Sequence, residues 1–158
     1  MDGSNDRRAR ERAVIRVIQE SQNDSPTAVL DKVADALHEN FSHYTGVYIY
    51  LLRGEMLELG PFRGKPTEHT RIPIGAGICG RAARVKQTIT VDDVHADAEY
   101  IACSLETRSE IVVPIMHGDR VYGEIDIDCD VPVAFSLADR VFLEEIAGLI
   151  APKSTEFT

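Results

Sequence analysis

A chain of 158 residues, 44% hydrophobic and 27% charged, has the composition of one ordinary globular domain with a substantial core. Its net charge of −9, from 26 acidic against 17 basic residues, argues against nucleic acid as a partner, which would need a basic face to neutralise phosphates. No apolar run reaches the ~18 residues of a membrane span, and the charged start MDGSNDRRARER has no apolar h-region behind it, so neither a membrane partner nor a secretory signal is expected.

Residues 6–20 carry Ala9, Ala13, Val14, Val17 and Ile18 at helical spacing. Asn23-Asp24-Ser25-Pro26 breaks that helix and starts another, with Ser25 as N-cap and Pro26 at the first helical position, running to about Phe41. The first helix either packs on its own sheet or serves as a dimer contact. Strands are expected at residues 46–52 and 56–60, joined by Arg53-Gly54, and at 70–72. A short helix over 78–86 and a short strand over 88–91 follow, then a loop with a helical turn over 92–104. Residues 110–116 and 121–129 form a second hairpin around His117-Gly118-Asp119-Arg120. Ser136 caps the last helix, with Asp139 in a capping-box position, and Pro152 is expected to lie beyond its end. Strand hairpins between N- and C-terminal helices make an α+β fold with an antiparallel sheet. The chain divides into an N-terminal helical arm (1–24), the main domain (25–152) and a C-terminal tail (153–158).

Alternation along the strand 121–129 places Tyr122, Glu124, Asp126 and Asp128 on one face and Gly123, Ile125, Ile127 and Cys129 on the other. The apolar face points to the core, which makes Cys129 a buried small hydrophobe. The acidic face is either solvated, as is common for antiparallel sheets, or lines a pocket. In a pocket it would attract an ammonium group, and mutual repulsion would raise one carboxyl pKa enough to make it a proton donor.

Three cysteines without a secretory signal read as free thiols in a reducing, cytoplasmic setting. No His/Cys spacing matches a zinc site, so no metal or bound cofactor is expected. Cys79 opens a short helix after Gly75-Ala76-Gly77, where the helix terminus would stabilise a thiolate, or it is simply buried beneath a glycine turn. Cys103 sits in the long loop, where a thiol is more accessible. Two such thiols brought together would permit nucleophilic attack followed by disulfide resolution.

The segments Pro61-Phe62-Arg63-Gly64-Lys65, Arg71-Ile72-Pro73-Ile74-Gly75, Gly77-Ile78-Cys79-Gly80, Asp92-Asp93-Val94-His95, Ile101-Ala102-Cys103, Ser109-Glu110-Ile111-Val112-Val113-Pro114-Ile115 and Asp126-Ile127-Asp128 occur in this order. As a set they resemble the free methionine-(R)-sulfoxide reductases, small GAF-domain enzymes, from Tyr48 to the C-terminal helix. The resemblance implies a GAF fold with about six antiparallel strands. It also implies reduction of free L-methionine-(R)-sulfoxide, with a thioredoxin-type reductant restoring the thiols and a homodimer as the assembly. Carried over by position, Cys103 is the attacking thiol and Cys79 a second active-site cysteine. Glu110, Asp126 and Asp128 are the acids that bind the amino acid and help protonate the departing oxygen, while Glu124 is left as a bystander towards the rim.

Three positions depart from the family pattern. His69 stands where many members have a third cysteine, so resolution passes to Cys79 or an external thiol. Ser104 replaces an acid after Ile-Ala-Cys. Gly46 replaces a tryptophan that walls the sulfoxide-methyl pocket, a role Tyr48 or Tyr50 would take over. These departures motivate a competing reading, a GAF domain that binds a small molecule without catalysis.

Overall fold

The computed structural model describes residues 2–101 and 106–157. Two helices come first, α1 (Asp2–Glu20) and α2 (Pro26–Asn40). They are followed by strands β1 (Gly46–Arg53), β2 (Met56–Arg63) and β3 (Arg71–Pro73), then helix α3 (Gly77–Val85). Strands β4 (Ile89–Val91), β5 (Ser109–His117) and β6 (Arg120–Cys129) lead into the C-terminal helix α4 (Leu137–Ser154). The strands form one six-stranded antiparallel sheet in the order β3-β2-β1-β6-β5-β4, the α+β architecture expected.

Alternation divides the sheet into two packed faces. Val47, Ile49 and Leu51 of β1, Ile111, Val113 and Ile115 of β5, and Ile125, Ile127 and Cys129 of β6 meet α2 and α4 in the larger core. Val14 and Ile18 of α1 join them, so the apolar side of that helix is covered within the chain. Tyr48 and Tyr50 of β1, Leu57 of β2 and Val112 of β5 face the other way, against Ile78, Cys79, Ala82 and Ala83 of α3. Both faces are therefore dry at the sheet's centre.

Local signals explain most boundaries. The Ser25 hydroxyl accepts from the Ala28 amide and Pro26 opens α2. β2 continues beyond residue 60 because Gly60-Pro61 sits in a bulge opposite Ile49, where proline's missing N–H is tolerated. The expectation that the last helix stops before Pro152 is overturned: α4 runs through it to Ser154. Proline in the last turn forfeits only one ladder bond. Burial of Ile150, Ala151 and Ser154 holds that turn, and the Ser154 hydroxyl donates to the Ile150 carbonyl.

Candidate active site

The acidic face of β6 is buried, not solvated. Glu124 is 0% exposed, Asp126 1% and Asp128 6%, with Glu110 on β5 at 4%. The register explains their convergence: Glu110 pairs with Asp128 across β5 and β6, while Tyr48 pairs with Asp126 and Gly46 with Asp128 across β1 and β6. Such directly opposite residues carry their Cβ atoms ~5 Å apart.

Helix α3 closes over this face and brings Cys79 with it. Two glycines make the close approach possible. Gly77 takes φ +67°, and a side chain there would also press on Ile101. A Cβ on Gly80 would lie 2.6 Å from the Pro73 carbonyl oxygen. Seated this deeply, the Cys79 thiol donates to Asp126 Oδ2 at 3.2 Å. Cys79 Sγ, one Glu110 oxygen and one Asp126 oxygen all lie within 4.8 Å of one another.

The electrostatics decide between the two readings of Cys79 in favour of the buried thiol. Burial pushes its thiol well above the ordinary range, and the neighbouring Asp126, Glu124 and Glu110 push it further, outweighing the terminus of a short helix. Cys79 rests as a thiol. Burial also raises Asp126, while hydrogen bonds from Glu110 and Cys79 work against the rise. Asp128 is raised well above a normal carboxyl, by burial first and by Asp126 second, against a hydrogen bond from Thr107.

Tyr48 lies over Gly46: a Cβ at residue 46 would stand 2.7 Å from Tyr48 Cε2. Its hydroxyl donates to the Lys65 carbonyl at 2.5 Å, and its ring stacks on Phe62 with centroids 5.8 Å apart. Tyr50 donates to the His69 carbonyl at 2.9 Å. A small cavity of about 10 Å³ lies beside Cys79 and Glu110, bordered by His69, Tyr100 and Ile101.

The GAF domain family model matches residues 23–152. The free methionine-R-sulfoxide reductase of Escherichia coli is 35% identical over 121 residues, covering 77% of this chain and 73% of that protein. The chain belongs to the GAF-domain family of free methionine-R-sulfoxide reductases. The Saccharomyces cerevisiae free methionine-R-sulfoxide reductase is 44% identical over 110 residues, 68% of this chain and 61% of the yeast protein. Among solved structures, the type II free methionine-R-sulfoxide reductase of Thermoplasma acidophilum superposes with a TM-score of 0.82 at 36% identity, covering 84% of this chain and 94% of that one. The Neisseria meningitidis free methionine-R-sulfoxide reductase, solved with its substrate, gives 0.84 at 32% identity, covering 92% and 90%.

Against that reductase family, the structure brings Cys79, Glu110, Asp126, Asp128 and Tyr48 to one face of the sheet. Cys103 lies outside the described residues, as does Ser104. Cys129 is buried in the opposite core, as alternation requires. The placement of Glu124 at the rim is corrected: it sits mid-strand opposite Tyr50, fully enclosed, and neither carboxylate oxygen has a hydrogen-bond partner. Its position on the acidic face was visible in the alternation. Its depth was not, because α3, which covers it, lies forty-odd residues away in the chain.

Proposed function

We propose that this protein reduces free L-methionine-(R)-sulfoxide to methionine through thiol, sulfenic acid and disulfide chemistry. The observation that carries the proposal is the dry cluster of Glu110, Asp126 and Asp128 against Cys79, in a chain of this reductase family. A donor-poor cluster of acids selects a substrate that brings its own cation, and the α-ammonium of a free amino acid is one. Burial holds the Asp126 carboxyl above its ordinary range, which suits it to deliver a proton to a sulfoxide oxygen.

The steps balance. The Cys103 thiolate attacks the sulfoxide sulfur, the acid protonates the oxygen, and methionine leaves with Cys103 oxidised to sulfenic acid. The Cys79 thiol then condenses with it, forming the disulfide and releasing water. A thioredoxin-type dithiol returns both cysteines to thiols. The high resting pKa of Cys79 suits this order, since a protonated thiol does not compete for the sulfoxide. Asp126, already accepting the Cys79 proton, serves as its base in the second step.

The Tyr48 ring, lying over Gly46 in the space a larger side chain at residue 46 would fill, borders a second small cavity with Thr107 and Asp128. The present cavity of about 10 Å³ beside Cys79 is far below the ~300 Å³ at which ligand pockets begin, so it must widen to admit the substrate. Among the described residues, no helix is long and apolar enough to cross a membrane. The chemistry calls for a reducing compartment such as the cytoplasm. A homodimer is supported by the exposed Leu137, Val141 and Leu149 along α4, at 75%, 58% and 43% exposure.

The test is turnover of free methionine-(R)-sulfoxide with dithiothreitol, scored by methionine released. Wild-type activity with loss in Cys103→Ser is expected, and Asp126→Asn should fall by about a hundredfold or more. A wild type that releases no methionine, and keeps all its thiols titratable after substrate is added, would leave only a binding domain.

A further inference from the structure

We propose that the pocket beside Cys79 is also a binding site for a thiophilic divalent cation, with Zn2+ the ion its donors fit best. Cys79 Sγ, a Glu110 oxygen and an Asp126 oxygen form a buried triplet within 4.8 Å of one another. The 3.2 Å between Cys79 Sγ and Asp126 Oδ2 is close to the ~3.5 Å edge of a tetrahedron with metal–sulfur and metal–oxygen bonds of ~2.3 and ~2.0 Å. Small rotations of two side chains close the remainder.

An acidic cluster with one cysteine is common without a metal. Two further observations separate this one. Glu124 is fully buried with both oxygens unpartnered, two residues before Asp126 on β6 and therefore on the same face of the sheet. Asp126 Oδ1 and Asp128 Oδ1 are likewise without donors, and no lysine or arginine among the described residues forms an ion pair with any of these three acids. The cluster is thus rich in acceptors and poor in donors, which is the condition a cation relieves. In addition, the adjoining cavity of about 10 Å³, bordered by Cys79 and Glu110, has room for a single water or ion and nothing larger.

The donor set decides which cation. Mg2+ and Ca2+ take oxygen ligands throughout, whereas a thiolate beside two carboxylates suits zinc. Binding replaces the Cys79 thiol proton and any proton on the coordinating carboxyls, and these protons leave to solvent. Because the same side chains are proposed to receive the substrate, Zn2+ and the amino acid exclude each other. That consequence rests on the reductase reading; the binding itself does not.

Calorimetry of Zn2+ into the reduced, chelator-stripped full chain, under a non-thiol reductant, is expected to show one ion per chain. Cys79→Ser should weaken it at least tenfold and Glu124→Gln several-fold, while Cys129→Ser leaves it unchanged. Co2+ should give a thiolate-to-metal charge-transfer band in the wild type that Cys79→Ser abolishes. No uptake, or uptake and a band that survive Cys79→Ser, overturns the proposal. Thermal melts of each variant confirm that the comparison is between folded proteins. Added free methionine should raise the apparent Kd for Zn2+. Tight Cys79-dependent binding that methionine does not touch, in a protein without turnover, would uphold the metal site and remove the reductase reading.

Discussion

The sheet buries carboxyl groups on both sides, and the two sides treat them in opposite ways. On the helical side, Asp139 of α4 is 2% exposed and surrounded by donors. Its Oδ1 accepts from Tyr44 Oη at 2.7 Å, His43 Nε2 at 3.0 Å and Arg7 Nη2 at 3.1 Å, and its Oδ2 from the Ser136 amide at 2.9 Å. Burial alone would raise its pKa. The bonds from His43, the Ser136 backbone and Tyr44 outweigh burial and hold it far below the ordinary range. On the α3 side, Glu124, Asp126 and Asp128 are equally buried but have few donors, and burial holds all three above it. The same chemical group is a staple in one place and an acceptor with few partners in the other. Partner count, not burial, separates the two groups of acids.

The largest effect expected from breaking this contrast is at Asp139. Asp139→Ala strands the Tyr44 hydroxyl and the Arg7 guanidinium and removes the capping box of α4. Loss of a buried, multiply bonded charge costs about 3 kcal/mol, or roughly 6–12 °C in Tm for a domain of this size. Turnover per folded molecule at low temperature should be unchanged. Loss of activity without loss of Tm would mean that Asp139 belongs to the site.

Glu124→Gln should act in the opposite direction. Removing an unpartnered buried carboxyl relieves its desolvation and its repulsion with Asp126, for a gain of about 1–2 kcal/mol. The gain depends on pH, with a definite sign. A carboxyl raised in the folded state stabilises fully below its unfolded value of about 4.3, and that contribution is lost as pH rises through the folded pKa. Asp139, held low, behaves inversely: its contribution is present above about 3.9 and lost as pH falls through its folded pKa. Urea unfolding at acidic and at mildly alkaline pH should therefore show a larger gain for Glu124→Gln at the alkaline end. An equal gain at both would mean that Glu124 is ionised in the fold throughout.

The sequence made this contrast partly legible. Alternation along β6 separates Asp126 and Asp128 from Cys129 without any tertiary information, and Ser136 with Asp139 reads as a capping box from spacing alone. Both are local regularities. What alternation cannot convey is what lies above a face. Whether Glu124 is solvated or enclosed depends on α3, which packs there only because Gly77 and Gly80 allow it. Likewise, the box shows one role of Asp139 and hides the other, since Arg7, His43 and Tyr44 reach it from α1 and the α2–β1 connection. Long-range partners decide pKa, and they are the part of a site that periodicity does not encode.

The smallest effect expected is at Arg7, and it separates two explanations of the Asp139 staple. If the cation holds the carboxylate, Arg7→Met should cost nearly as much as Asp139→Ala. If neutral donors suffice, the loss should be about 1 kcal/mol, because Arg7 is partly exposed at 22% and its pair is screened. Methionine preserves most of the contact with Phe41, over whose ring the guanidinium sits at 5.5 Å, so the change reports charge more than packing. The geometry favours the smaller figure, since the Tyr44 hydroxyl at 2.7 Å and the Ser136 amide at 2.9 Å both lie nearer the carboxylate than Arg7 at 3.1 Å. Thermal melts in low and high salt check this directly. The Arg7→Met deficit should shrink as salt screens the wild-type pair, whereas the Asp139→Ala deficit should persist, because hydroxyl and backbone donors left empty in the interior are indifferent to ionic strength.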